Sequence, residues 1–181
     1  MSDAHDLQRF VDAQDQSGTY EAALAELRAG RKRSHWMWFV FPQIAGLGRS
    51  PISRRFAISS LDEARAYLAH PVLGPRLIES ARALTELATN SPEEVFGSID
   101  ALKLRSSMTL FARADPDEPL FGQVIAQFFG GAADSTTERL LSSAWASSGP
   151  NSVAAGAAAP RARGSVIQSS SADVLPAQSQ A

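Results

Sequence analysis

Leu7, Phe10, Val11 and Gln14 fall three and four positions apart, and after Ser17-Gly18 the set Tyr20, Ala23, Leu24 and Leu27 repeats the spacing. Side chains spaced in this way share one face of a helix, so two short amphipathic helices are expected to open the chain. Gly30 stands where a left-handed residue would close the second. The run His35-Trp36-Met37-Trp38-Phe39-Val40-Phe41 is bulky on both parities and stops at Pro42. Periodicity does not separate a buried strand from a buried helical turn here, and the helical surroundings favour a helix or an irregular buried segment. Gln43 to Ile52, with Gly46, Gly48 and Pro51, reads as a loop.

Ser60-Leu61-Asp62-Glu63 has the form of a capping box, in which the Ser60 oxygen accepts from the Glu63 amide and the Glu63 carboxylate reaches back to the Ser60 amide. A helix from Leu61 to His70 follows and ends at Pro71. The next begins near Gly74-Pro75 and places Leu77, Ala81, Leu84 and Ala88 on one stripe. Ser91-Pro92-Glu93-Glu94 repeats the capping signal, with proline at the first helical position, where its missing N–H costs nothing. Ile99, Leu102, Leu104, Met108, Leu110 and Phe111 then put apolar residues on more than one face, which marks a central helix. Asp115 to Pro119 breaks it. Phe121, Val124, Ile125, Phe128 and Phe129 form the clearest amphipathic pattern, closed by Gly130-Gly131, and a last short helix runs from Ser135 to Leu141 with Asp134 as its cap.

The pattern predicts an all-α fold: one compact domain of about six to eight helices over residues 5–142. From Ser143 the sequence is dominated by Ala, Ser, Gly, Pro and Gln. Such a segment buries too little to offset an ordering entropy of roughly 1–2 kcal/mol per residue, so residues 143–181 are expected to be a disordered tail, which Trp145 would anchor to the domain. With 44% hydrophobic and 20% charged residues, the composition of the 181-residue chain is that of an ordinary globular protein and selects no function. Absence of cysteine excludes disulfides, thiolate chemistry and cysteine-based metal sites. The N-terminus carries no basic or apolar leader, and no stretch approaches the ~20 apolar residues of a membrane helix, so a cytoplasmic location and no membrane partner are expected. His5, His35 and His70 lack ligand spacing, so no metal is expected. No P-loop or dinucleotide fingerprint is present, and no cofactor is expected.

Charge changes the picture more than composition does. The formal net charge is only -2, but no carboxylate lies between Glu26 and Asp62, while Arg28, Arg31, Lys32, Arg33, Arg49, Arg54 and Arg55 all fall in that gap. A locally positive surface follows if these residues stay together. Interleaved Trp36, Trp38, Phe39, Phe41 and Phe56 would suit an anionic, nucleotide-like ligand, since cations neutralise phosphate while an aromatic face stacks on a base for ~1–3 kcal/mol. The same aromatics are more simply explained as core, at ~1.5–3 kcal/mol each by burial, with the basic residues as a solvated rim. His35, beside the basic cluster, is the candidate general acid or base. Lys103, Ser106 and Ser107 share one helix face, so either serine is a candidate nucleophile with the amine as its base, or an anion binder; close helix packing gives the same letters. The short basic loop Gly46-Leu47-Gly48-Arg49-Ser50 is a candidate anion cradle or a simple turn.

Taken together, the string from Gly30 to Gln43 that includes His35-Trp36-Met37-Trp38-Phe39-Val40-Phe41-Pro42-Gln43, the loop Gly46 to Ser50, and Leu102 to Phe111 resemble the bacterial domain-of-unknown-function family numbered 1810, over about Leu7 to Leu141. The resemblance implies a small, mainly helical domain and no particular activity, cofactor or catalytic residue. Some members carry the label calpastatin, but a folded, tryptophan-containing domain is unlike the extended segments by which calpain inhibitors bind. The leading expectation is a domain that binds, and if an enzyme processes, a small anionic or nucleotide-like ligand at Arg31, Lys32, His35, Trp36, Trp38, Gln43, Arg49, Lys103 and Ser106. The alternative is a protein or nucleic-acid interaction module without catalysis, and the acidic overall charge weighs mildly against nucleic acid.

Overall fold

The computed structural model describes residues 5–148, with side chains described as far as Ser143. In chain order the helices are α1 (Gln8–Asp15), α2 (Thr19–Arg28), α3 (Met37–Val40), α4 (Pro51–Arg55), α5 (Leu61–Ala69), α6 (Leu73–Thr85), α7 (Pro92–Ala114), α8 (Leu120–Phe129) and α9 (Ser135–Ser148). A 3-10 turn, Gln16–Gly18, joins the first two. The fold is all-α, and the described residues contain no strand, only one isolated parallel bridge between Ile44 and Ile58. No helix among them is long and apolar enough to cross a membrane.

The apolar stripes seen in the sequence face one another. α7 packs against α5, α8 and α9, while α6 packs against α2, α5 and α8. An unbroken aromatic relay crosses the core from Phe39 to Phe56, Phe10, Tyr67, Phe111 and Phe121, with successive ring centroids 5.1–5.8 Å apart. Gln14 lies on the apolar face of α1 and is buried because its amide is satisfied. Its Nε2 donates to the Phe39 carbonyl at 2.8 Å and to the Tyr67 hydroxyl at 3.1 Å, and Tyr67 also donates to the Phe39 carbonyl at 3.2 Å. These bonds fix α3, and with it the tryptophan segment, against α1 and α5.

Caps set the helix starts. Ser60 Oγ accepts from the Glu63 amide at 3.1 Å, but the Glu63 carboxylate does not return to the Ser60 amide. It accepts instead from the Ser59 amide and hydroxyl and from Arg9, whose guanidinium also donates to the carbonyls of Arg55 and Ala57. A tertiary partner thus redirects a local motif and ties α1 to the start of α5. The expected loop up to Ile52 is shortened by α4, for which Ser50 is the cap and Pro51 the first-turn proline.

Two further departures concern α7 and α9. Gly97 has φ 75° and ψ 167°, a conformation essentially restricted to glycine, and it interrupts α7 between the buried Val95-Phe96 and the exposed Ser98-Ile99. Beyond the break Ile99 and Leu102 face outward, whereas Leu104, Met108, Leu110 and Phe111 are fully buried, so two of the apolar residues expected in the core of the central helix lie on its surface. α9 continues past Leu141 through Ser148, into what the composition marks as tail. Alanine at 144 and 146, the strongest helix former, favours that continuation. The rest of the tail expected over residues 143–181, from residue 149 onward, lies outside the described residues, as does the side chain of Trp145.

Candidate functional site

The basic segment after α2 is held by a carboxylate from α2 itself. Gly30, at φ 65°, ends the helix and turns the chain back along it. Glu26 then accepts four hydrogen bonds, from the Arg33 amide at 2.7 Å, the Ser34 amide at 3.1 Å, the Ser34 hydroxyl at 2.5 Å and the Trp36 indole N–H at 2.8 Å. Burial pushes the Glu26 carboxyl up, but the bonds from Ser34, Arg33 and Trp36 outweigh it and hold the group down at about 2. The Trp36 ring itself is fully buried, against Phe41 and Phe96.

Within this clasped loop the Lys32 amide donates to the Val95 carbonyl at 2.7 Å, which brings the loop against the start of α7. The Lys32 ammonium lies 2.8 Å from Asp100 Oδ2, donates to the Ser34 carbonyl, and sits 5.2 Å from the centre of the Trp36 ring. Lys103, one helical turn after Asp100, contacts the other carboxylate oxygen, Oδ1, at 2.7 Å, and lies 4.4 Å from the centre of the Trp38 ring. Two ammonium groups therefore share one carboxylate, and each lies over an indole, where the electron-rich face favours a cation. Side-chain exposure is 9% for Lys32, 18% for Asp100 and 20% for Lys103, so the cluster is largely withdrawn from bulk water. Burial raises the Asp100 carboxyl, and the bonds from Lys103 and Lys32 more than reverse this, leaving it below its usual range and ionised. The triad carries a net charge of about +1 at neutral pH, and it can attract an anion whose Coulomb interaction is strengthened by low local dielectric.

The other residues singled out in the sequence occupy different surroundings. Arg31, Arg33, His35 and Arg49 are exposed, and none of them forms an ion pair with a described carboxylate. Trp38 and Gln43 are half-buried, and the Gln43 carbonyl accepts from the Ile58 amide beside the bridge. In the glycine loop, Gly46 adopts φ 100°, and a Cβ on Gly48 would come within 2.4 Å of Ser53, so turn geometry and the close approach of α4 account for both glycines.

Ser106 and Ser107 lie inside the helix packing. The Thr137 hydroxyl gives its single hydrogen to Asp134 Oδ2 at 2.7 Å, so Ser106 donates to Thr137 Oγ1, also at 2.7 Å, and thereby joins α7 to the cap of α9. The Ser107 hydroxyl is buried without a hydrogen-bond partner. No hydrogen bond joins Lys103 to either serine among the described residues. Lys103 comes together with Lys32, Trp38 and Asp100 instead. Asp100 and Glu26, the two acids that organise the cluster, are not among the expected site residues. The Asp100-x-x-Lys103 spacing on a helix is a signal for the first pair, whereas the convergence of Lys32 on the same acid has no local signature.

A small helical domain with a half-buried basic-aromatic cluster on one face is the class that fold and geometry define. The chain belongs to the family described as proteins of unknown function, DUF1810, whose model matches residues 4–141. Among solved structures it is similar to the conserved hypothetical protein Rv1873 from Mycobacterium tuberculosis, with 53% identity and a TM-score of 0.75, covering 77% of this chain and 99% of that one. No curated protein matches.

Proposed function

We propose that this domain binds a small anionic, nucleotide-like ligand on the face formed by Lys32, Trp38, Asp100 and Lys103. The observation that carries the reading is the sharing of one ionised carboxylate by two lysines, each over a tryptophan ring. Asp100 neutralises only one of the two cations and takes only one of the three Lys103 donors, so charge and hydrogen-bonding capacity remain for a phosphate or carboxylate. Arg31 and Arg33 flank Lys32 in sequence and have no carboxylate partner, which raises the local positive potential and draws anions toward the cluster. Trp38 is only half-buried, and its ring offers a surface for a planar group. The bound state needs no rearrangement of the core, because the Glu26 clasp and the Val95 carbonyl already hold Lys32 in place.

The test is a thermal-shift panel of nucleotides, sugar phosphates and inorganic pyrophosphate, since a ligand that binds only the folded state raises the melting temperature. At least one phosphate-bearing compound is expected to give a saturable, dose-dependent rise that Lys103→Ala removes while the unliganded melting temperature stays within a few degrees. Equal rises in wild type and Lys103→Ala would place the anion elsewhere.

A further inference from the structure

Ile99 and Leu102 stand three positions apart just beyond the Gly97 break and are 71% and 64% exposed. They are two of the three large apolar side chains that the described residues leave exposed, the third being Ile52. A single exposed leucine is ordinary, but two on successive turns of one helix form a continuous apolar stripe. Helix formation does not call for them, because Glu or Lys would serve equally well there by propensity.

The borders of the stripe carry a net positive charge. On the adjacent row of α7, Asp100 is fully occupied by Lys32 and Lys103, which leaves that row with a positive excess. Arg105, one turn after Leu102, donates to the carbonyls of Ala132 and Ala133 and meets no described carboxylate. Glu93 and Glu94 lie before the Gly97 break and face Ser91 and Thr89.

We infer that this stripe docks an acidic, amphipathic segment of a partner protein, with apolar side chains on Ile99 and Leu102 and carboxylates beside Lys103 and Arg105. Nucleic acid would satisfy the cations but leave the apolar stripe uncovered. A symmetric contact between two copies would bring like charges together, at a cost. An acidic segment with apolar residues one turn apart covers both features at once. The inference goes beyond the anion site, although the two share Lys103.

The test is to pan a random-peptide display library on the intact chain and counter-select on the Ile99→Ser/Leu102→Ser double variant. Because both side chains are exposed, the double variant is expected to keep the wild-type melting temperature. Enriched peptides should combine Asp or Glu with Leu, Ile or Phe at helical spacing. A synthetic copy of one should bind the double variant, and separately Arg105→Glu, roughly tenfold or more weakly than wild type. No enrichment, enriched peptides lacking acids, or equal binding to the double variant would overturn the inference. So would a concentration-dependent dimer that the double variant abolishes, since a second copy would then be the occupant. Pyrophosphate binding by the double variant is read in parallel and should match wild type. If wild type binds no anion while the peptide result stands, the anion-site reading fails alone; if anions bind and the peptides fail, the docking inference fails alone.

Discussion

Removing the Glu26 carboxylate should release the loop that presents Lys32, and the cost can be worked from its partners. In Glu26→Ala, four donors lose their acceptor: two backbone amides, the Ser34 hydroxyl and the Trp36 indole N–H. The Arg33 and Ser34 groups reach water, so their loss is small. The indole belongs to a fully buried ring, and an unpaired donor there costs ~1–3 kcal/mol. A total of ~2–4 kcal/mol follows, once the weaker bonds are added. Acid gives an independent measure of the same carboxylate. A carboxyl depressed on folding contributes stability above its unfolded value, and that stability is lost as pH falls through the folded value. For Glu26 the window runs from 4.5 down to about 2. At ~1.4 kcal/mol per pH unit the full drop would correspond to ~3 kcal/mol, and solvent screening of this half-exposed group reduces it to ~1–2 kcal/mol. Urea unfolding followed by tryptophan fluorescence, at pH 7 and at steps down to about pH 2, measures both quantities. Glu26→Ala should lower stability by the stated amount at pH 7, and Glu26→Gln should weaken the acid dependence, leaving the part that Glu63 and Asp100 contribute. A loss below ~0.5 kcal/mol for Glu26→Ala, or unchanged acid dependence in Glu26→Gln, would refute the clasp.

Three further outcomes follow from packing. Gly74→Ala should cost ~1–3 kcal/mol or more, because its Cβ would fall 2.0 Å from the Leu68 carbonyl oxygen where α5 meets α6; an unchanged urea midpoint would contradict this. Ser107→Ala should be neutral or stabilising by up to ~1 kcal/mol, since it deletes a buried hydroxyl that lacks a partner, while Ser106→Ala should cost ~1–2 kcal/mol through the bond to Thr137. The reverse order in calorimetry would show that the hydroxyls are arranged otherwise. Gly97→Ala should cost ~1–3 kcal/mol from backbone strain alone, since nothing lies within 4 Å of an added Cβ, and a wild-type melting temperature would show that the break relaxes freely.

Much of the architecture is legible in the sequence because it depends on local rules. The stripes of α1, α2 and α8, the glycines after α2 and α8, and the serine caps of α5 and α7 need only spacing and cap chemistry. The departures occur where a distant partner intervenes. Glu63 leaves its own capping box for Arg9 and Ser59, and Ser106 turns toward Thr137. Other signals were local but competed with stronger ones. Ser50-Pro51 starts α4 inside a glycine-rich loop, and Gly97 lies in a helical pattern strong enough on both sides to hide the break. The cluster was half legible. An acid-free basic stretch beside tryptophans marks Lys32, and Asp100-x-x-Lys103 marks a helix pair, but only the fold places the two segments on one carboxylate.

The most direct test of the anion site is an NMR titration of the isotopically labelled chain with inorganic pyrophosphate and with ATP. Binding at the proposed face predicts saturable shifts at the Lys32, Asp100 and Lys103 amides and at the Trp38 indole N–H, weakened in Lys103→Ala. Shifts that gather instead at Arg54 and Arg55, or that never saturate, would contradict it.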